Sequence, residues 1–261
     1  MSENSFSVSE SYAAEPVDSE ALPPERGPTF GFSLVEIAAV LFVIAIMVGL
    51  VVPAIGSLHD PARRMQCPNN LKQLSLALLE YENAYGSFPP AYTVDAKGNR
   101  LHSWRTLILP FIEQQPLYSK IDLSKPWDHP ANAKLSSKQI SVYECPSAGI
   151  SPGSSTYFVV DDPSGIFNGS NTTKIAQIQD GTSNTLLIVE VDKSLAVPWM
   201  SPDDIDLKTY LDVKFSSGHT GGANCCFADG ACWFLDSSLD RASMRALVTK
   251  SAGDKSNNAF P

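Results

Sequence analysis

Few side chains in this 261-residue chain stand where chemistry could be done, and each can be weighed on its type and spacing. His219 is followed by nine residues and then Asp229-Gly230. A histidine with a carboxylate is the minimum set for proton transfer or metal binding. The pair lacks a third partner at a recognisable spacing, so no nucleophile–base set and no metal-ligand set is legible, and an enzyme is not expected. Asp229 reads instead as a turn residue and His219 as a loop residue beside Gly218, Gly221 and Gly222. Asp161, Asp162, Asp180 and Asp192 could contribute oxygens to calcium, but no D-x-D-x-D-G loop is present, and solvated loop charge is the simpler reading. No other cofactor is indicated.

Five cysteines leave at least one unpaired. Cys225, Cys226 and Cys232 sit close together and read as small hydrophobes. Cys67 and Cys145 are the separated pair, and a disulfide between them is permitted if this part of the chain lies outside the cytoplasm. Trp104, Trp127, Trp199 and Trp233 could offer aromatic faces to carbohydrate or to a surface. A formal charge of −9 argues against a nucleic-acid partner, which requires a basic face against phosphate.

The last chemically notable residue, Glu36, leads to the elements that hold the rest. It lies at the start of an apolar stretch. From Ile37 to Val52 there are sixteen residues without one polar side chain. The wider window 32–55, at ~1.5 Å per residue, spans roughly 36 Å, enough to cross a hydrocarbon core of about 30 Å. A carboxylate inside such a run is unfavourable by about 2.5–3.5 kcal/mol on insertion scales, which makes it a functional residue by default. The preceding residues 1–31 carry six acids against Arg26 alone, with little to bury, and read as a disordered leader.

Beyond the span, Cys67, Leu71, Leu74, Leu78, Tyr81 and Tyr85 recur at spacings of three and four, keeping one helical face apolar until Gly86 and the prolines that follow. One helix can therefore run from Phe32 to Tyr85, bent or broken near Pro53 and Pro61 and restarted at Pro68. Residues 93–147 lack a clear period and predict loops and short helices. Strands are expected at Tyr157–Val160 and Leu186–Val191. Asp229-Gly230 is a strong two-residue hairpin signal. Pairing Ala228 with Ala231 would put Phe227 opposite Cys232 and Cys225 opposite Phe234 on a core face, leaving Cys226 and Trp233 on the other. The fold class is α+β: a long N-terminal helix packed on a globular domain with an antiparallel sheet. The boundaries are 1–31 for the leader, 32–55 for a transmembrane helix, 56–86 for its continuation, and 87–261 for the globular domain.

Gly31-Phe32-Ser33-Leu34-Val35-Glu36 followed by the apolar run resembles the class III signal of type IV pilins and type II secretion pseudopilins. The resemblance implies cleavage between Gly31 and Phe32 by a prepilin peptidase and N-methylation of Phe32. It also implies that Glu36 pairs with the free amino terminus of a neighbouring subunit and that Pro53 kinks the helix. Downstream, RRMQCPNNLKQLSLALLEYENAYGSFPPAY, ECPS, DGTSNTLLIVE and HTGGANCCFADGACWFL look like a large planctomycete-type family of pilin-like proteins of unknown function, whose C-terminal mark is His-x9-Asp-Gly. The function so implied is a subunit stored in the cytoplasmic (inner) membrane as a single-pass protein, its C-terminal domain outside the cytoplasm. It would then assemble with like subunits into a surface filament or secretion pseudopilus. Its expected partners are membrane lipid, the peptidase and like subunits. The alternatives are a membrane-anchored binding module and an anchored enzyme.

Overall fold

A computed structural model describes residues 33–213 and 217–253, and for residues 50–64 and 213 it describes the backbone but not the side chains. The expected leader, with Gly31 and Phe32, lies outside the described residues. The chain divides into two compact units, Met1–Val52 and Pro53–Pro261.

Helix α1 runs Leu34–Tyr85. In the first unit it opens on a reciprocal cap that the motif S-L-V-E encodes. Val35 N–H donates to Ser33 Oγ at 3.2 Å, and Ser33 N–H donates to Glu36 Oε2 at 2.9 Å. Two of the N–H groups that have no partner inside a helix are thereby satisfied. Every residue described here, from Ser33 to Gly49, is exposed, including Leu34, Val35 and Phe42. Among the described residues no helix is long and apolar enough to cross a membrane. The stretch with described side chains ends at Gly49, so the expected 32–55 span runs partly outside it. Of the bend or break expected near Pro53 and Pro61, a break is not found: the helix is continuous through Pro53, Pro61 and Pro68. Each proline removes one backbone donor from the helix.

In the second unit the predicted face of α1 is fully buried at Cys67, Leu71, Leu74 and Leu78, and ends at Tyr85, which is exposed. It packs against a four-stranded antiparallel sheet whose neighbours follow sequence order: β1 (Tyr157–Phe158), β2 (Leu186–Glu190), β3 (Gly222–Phe227) and β4 (Cys232–Asp236). The expected strand 157–160 is split, because Val160–Asp161 pairs in parallel with Ile205–Asp206 in a separate ribbon. Every residue of β2 and β3 is buried. Tyr157, Ile188 and Cys226 join the core with α1, while Phe158, Val189, Cys225 and Phe227 join a second core with Met244 and Leu247. An antiparallel sheet covered on both faces needs apolar runs rather than alternation, which is how Leu186–Val189 reads.

The hairpin register differs from the one the sequence suggested. Cys226 faces Cys232 and Cys225 faces Trp233, so every β4 side chain is shifted by one position. Gly230 N–H donates to Phe227 O and Phe227 N–H to Ala231 O, making a turn closed by a bulge at Gly230. Both two-residue hairpin turns, types I′ and II′, need positive φ at the first central position, and here Gly230, at φ 81°, is left-handed while Asp229 is not.

Between these elements Trp104 and Trp199 are buried in the core and cannot serve as surface platforms. Trp104 opens a short helix, Trp104–Leu107, that places Arg105 in the interior. The Arg105 guanidinium donates to Tyr157 O from Nε and Nη2, to Ser103 Oγ from Nη1, and to Asp204 Oδ1 from Nη2 at 2.9 Å. Asp204 also accepts from Trp104 Nε1 and Val159 N–H. The two side chains are 0% and 1% exposed. Burial pushes the Asp204 carboxyl up to about 6, against the pull of Arg105.

Arg105→Met should therefore destabilise the chain by about 3–5 kcal/mol at pH 8, because it strands a buried carboxylate. Without the guanidinium the Asp204 pKa rises further. An acid raised in the folded state contributes stability at low pH that is lost as pH rises through its folded pKa. The gap between variant and wild type, read by urea titration, should narrow steadily from pH 8 to pH 5. A gap independent of pH would show that Arg105 acts through packing alone.

Candidate functional site

Alternation along the strands selects what the sheet presents to α1. On β2, Glu190 lies two residues beyond Ile188 and so points to the same side, and on β3 Asn224 lies two residues before Cys226. The two meet: Asn224 Nδ2 donates to Glu190 Oε2 at 2.9 Å. Glu190 is buried, and its second oxygen, Oε1, has no hydrogen-bond partner among the described residues.

Cys67 comes from the buried face of α1. The 3₁₀ turn Ser141–Tyr143 leads to Cys145, and Asn70, one turn along α1 from Cys67, fixes that segment. Its Nδ2 donates to Glu144 O at 2.9 Å and to Ser141 O at 3.2 Å. With the backbone so held, Cys67 and Cys145 lie with Cα atoms 5.1 Å apart and are joined by a disulfide. Tyr157 Oη donates to Cys67 O at 3.4 Å, tying β1 to the same place.

His219 reaches this point from the loop before β3. Ser217 Oγ accepts from His219 N–H and donates to Gly222 O, shaping the loop. Gly218 lets it approach the Cys145 segment: a Cβ there would come within 3.2 Å of Ala148 Cα and Ser147 O. His219 Nε2 sits 3.3 Å from Glu190 Oε2 and 3.8 Å from Cys145 Sγ, with its side chain 8% exposed. One donor atom from each of Cys67, Cys145, Glu190 and His219 lies within 4.8 Å of the others. Among the described residues this is the group of histidine, cysteine and acidic side chains placed to share one ion.

A protein-family model described as a protein of unknown function (DUF1559) matches residues 59–210. That is more than half of the chain. The chain belongs to this family. No curated protein and no solved structure matches it. Within the DUF1559 match lie Cys67, Cys145 and Glu190, while His219, Asp229 and Gly230 fall beyond it. The family carries no assigned activity, so the site has to be read from its own geometry.

That geometry separates the expected motif residues. Asp229 and Gly230 are structural: Asp229 Oδ1 accepts from Ala231 N–H at 2.8 Å, and Lys72 Nζ on α1 donates to Gly230 O. His219 belongs with Glu190 and the cysteines instead. Glu190 was not singled out in the sequence because it sits inside an apolar strand with no neighbour at motif spacing. Cys226 and Cys232, read as free, form a second disulfide once the register brings them opposite each other. Cys225 is free and buried, and burial pushes its thiol pKa up, so it stays protonated and inert. Asp161, Asp162 and Asp192 accept backbone N–H bonds from nearby residues and Asp180 accepts them from Ala252 and Gly253, and the four form no shared cluster among the described residues. A Cys–His–Glu relay is also disfavoured, because Cys145 and Glu190 face the same ring nitrogen. A relay needs the base and its orienting carboxylate on opposite nitrogens.

The tip of the hairpin gives a direct test of the Asp229-Gly230 role. A Cβ on Gly230 would meet Leu79 Cδ1 at 3.1 Å while holding φ 81°. Gly230→Val should cost about 1–3 kcal/mol and Asp229→Ala about 1 kcal/mol, measured by urea unfolding of the full chain. A Gly230→Val variant as stable as the wild type would contradict the strain argument.

Proposed function

We propose that this chain is a membrane-stored, pilin-like subunit, cleaved and N-methylated at Phe32 and then assembled with like subunits into a surface filament or secretion pseudopilus. The observation that carries the reading is the contrast within α1. Leu34–Gly49 is exposed and apolar apart from Glu36, whereas Cys67, Leu71, Leu74 and Leu78 are buried in the core of an α+β domain. An apolar segment left open to its surroundings fits lipid before assembly and neighbouring helices after it. Two disulfides in the second unit fit a domain placed outside the cytoplasm. Stored in the cytoplasmic membrane, the subunit would meet lipid, the prepilin peptidase and other copies of itself. In a low-dielectric helix bundle Glu36 would attract the ammonium created on Phe32 of the adjacent subunit, and desolvation would offset much of that gain. The pairing would set register and orientation more than affinity.

Expression alongside a prepilin peptidase should yield a mature chain beginning with N-methylated Phe32 by intact-mass analysis, and an uncut leader would refute the reading. The cap at the start of α1 adds a way to separate charge from structure at Glu36. Glu36→Gln retains the oxygen that Ser33 N–H bonds and loses only the charge, whereas Glu36→Val loses both. Both should insert and be cleaved, and both should fail to incorporate into filaments in a background lacking the wild-type subunit. A defect confined to the valine variant would assign Glu36 to helix capping rather than to pairing.

A further inference from the structure

A disulfide between Cys67 and Cys145 requires neither a buried carboxylate nor an imidazole beside it, yet both are present. Glu190 lies on a sheet face that is apolar apart from Asn224, with one oxygen bonded by Asn224 and the other without a partner among the described residues. An isolated buried carboxylate oxygen costs on the order of 1–3 kcal/mol unless something satisfies it. His219, Glu190 and the two sulfurs come from a loop, a strand, the helix α1 and the segment after a 3₁₀ turn, and their donor atoms close on one point.

We propose that reduction of the Cys67–Cys145 disulfide converts this point into a tetrahedral site for a zinc-class divalent ion, held by Cys67 Sγ, Cys145 Sγ, His219 Nε2 and a Glu190 carboxylate oxygen. Oxygen and nitrogen donors on zinc at ~2.0–2.1 Å with tetrahedral angles are separated by roughly 3.3 Å, and a nitrogen and a sulfur donor by roughly 3.6 Å. The structure holds His219 Nε2 and Glu190 Oε2 at 3.3 Å, and His219 Nε2 and Cys145 Sγ at 3.8 Å. Two edges of the tetrahedron are thus set while the disulfide is intact, and only the sulfurs must separate. Thiolate, imidazole and carboxylate donors together suit zinc and its tetrahedral analogue cobalt better than calcium or magnesium. The chemistry balances with a dithiol as reductant. Its two thiols pass two electrons and two protons to the disulfide and close to their own disulfide, leaving two cysteine thiols. The ion then displaces the two thiol protons to buffer. Disulfide and ion exclude each other, so the redox state of Cys67 and Cys145 decides whether the site exists. The inference does not depend on filament assembly.

The test uses the full chain in detergent, either oxidised or reduced with a dithiol and desalted without oxygen. It is equilibrated with zinc and assayed by elemental analysis and by competition with a chromophoric chelator. The reduced chain should bind about one zinc per molecule and the oxidised chain essentially none. Loss of a group that merely orients a metal ligand typically weakens binding 10–100-fold, so His219→Ala and Glu190→Gln should each weaken it at least roughly tenfold. Cys67→Ser should behave likewise, and Cys226→Ser should leave affinity unchanged. Cobalt in place of zinc should give the intense visible bands of a tetrahedral site with thiolate charge transfer. The proposal fails if the reduced chain binds no zinc, whether it stays folded or not. It also fails if the His219 or the Glu190 variant binds as tightly as wild type, if cobalt is octahedral, or if the cysteine that matters is Cys226.

Discussion

Removal of one helical face from water organises the second unit. Cys67, Leu71, Leu74 and Leu78 lie on a single stripe of α1 and are completely buried. Fully burying a leucine contributes about 1.5–3 kcal/mol, so the three leucines alone supply much of the drive that fixes the helix against the sheet. Other contacts are placed by this stripe. Asn70 and Lys72 lie beside it and hold the Cys145 segment and the hairpin tip by their backbone carbonyls. Cys67, at its start, carries the cross-link to Cys145.

Two buried charged groups rest on that frame and are treated differently. The Arg105 fork meets Tyr157 O, Ser103 Oγ and Asp204, and Asp204 is further supplied by Trp104 Nε1 and Val159 N–H. A buried pair of this kind is tolerated because nearly every donor and acceptor finds a partner. Glu190 is not so completed: one oxygen is bonded and the other has no partner among the described residues. Complete satisfaction fits a structural pair, whereas the Glu190 acceptor lies among the donor atoms of the site proposed above.

The first unit obeys another rule. Its helix presents apolar side chains without a protein partner among the described residues, and its first turn is closed by Ser33 and Glu36 rather than by packing. Glu36 therefore has a local structural role, through Oε2, as well as the assembly role proposed for it. A side chain that caps its own helix is already oriented at the helix start, where the positive end of the helix dipole favours a carboxylate.

Much of the architecture was legible in periodicity. The 3.6-residue stripe from Cys67 to Leu78, the apolar run of β2 and the glycine and prolines after Tyr85 each express a local rule, and local rules act through neighbours in sequence. The α+β class followed from them. The tertiary structure decided what depends on pairing across distance. A single left-handed residue, Gly230, chose a bulged turn over a two-residue one, and that slip of one position brought Cys226 opposite Cys232. The helix face and the Asn70 clamp brought Cys67 to Cys145, and strand alternation aimed Glu190 at the same spot. His219 was visible as a residue without a role because its partners lie 29, 74 and 152 positions away. Spacing in sequence carries no information about a group that only the packing of helix, sheet and loops assembles.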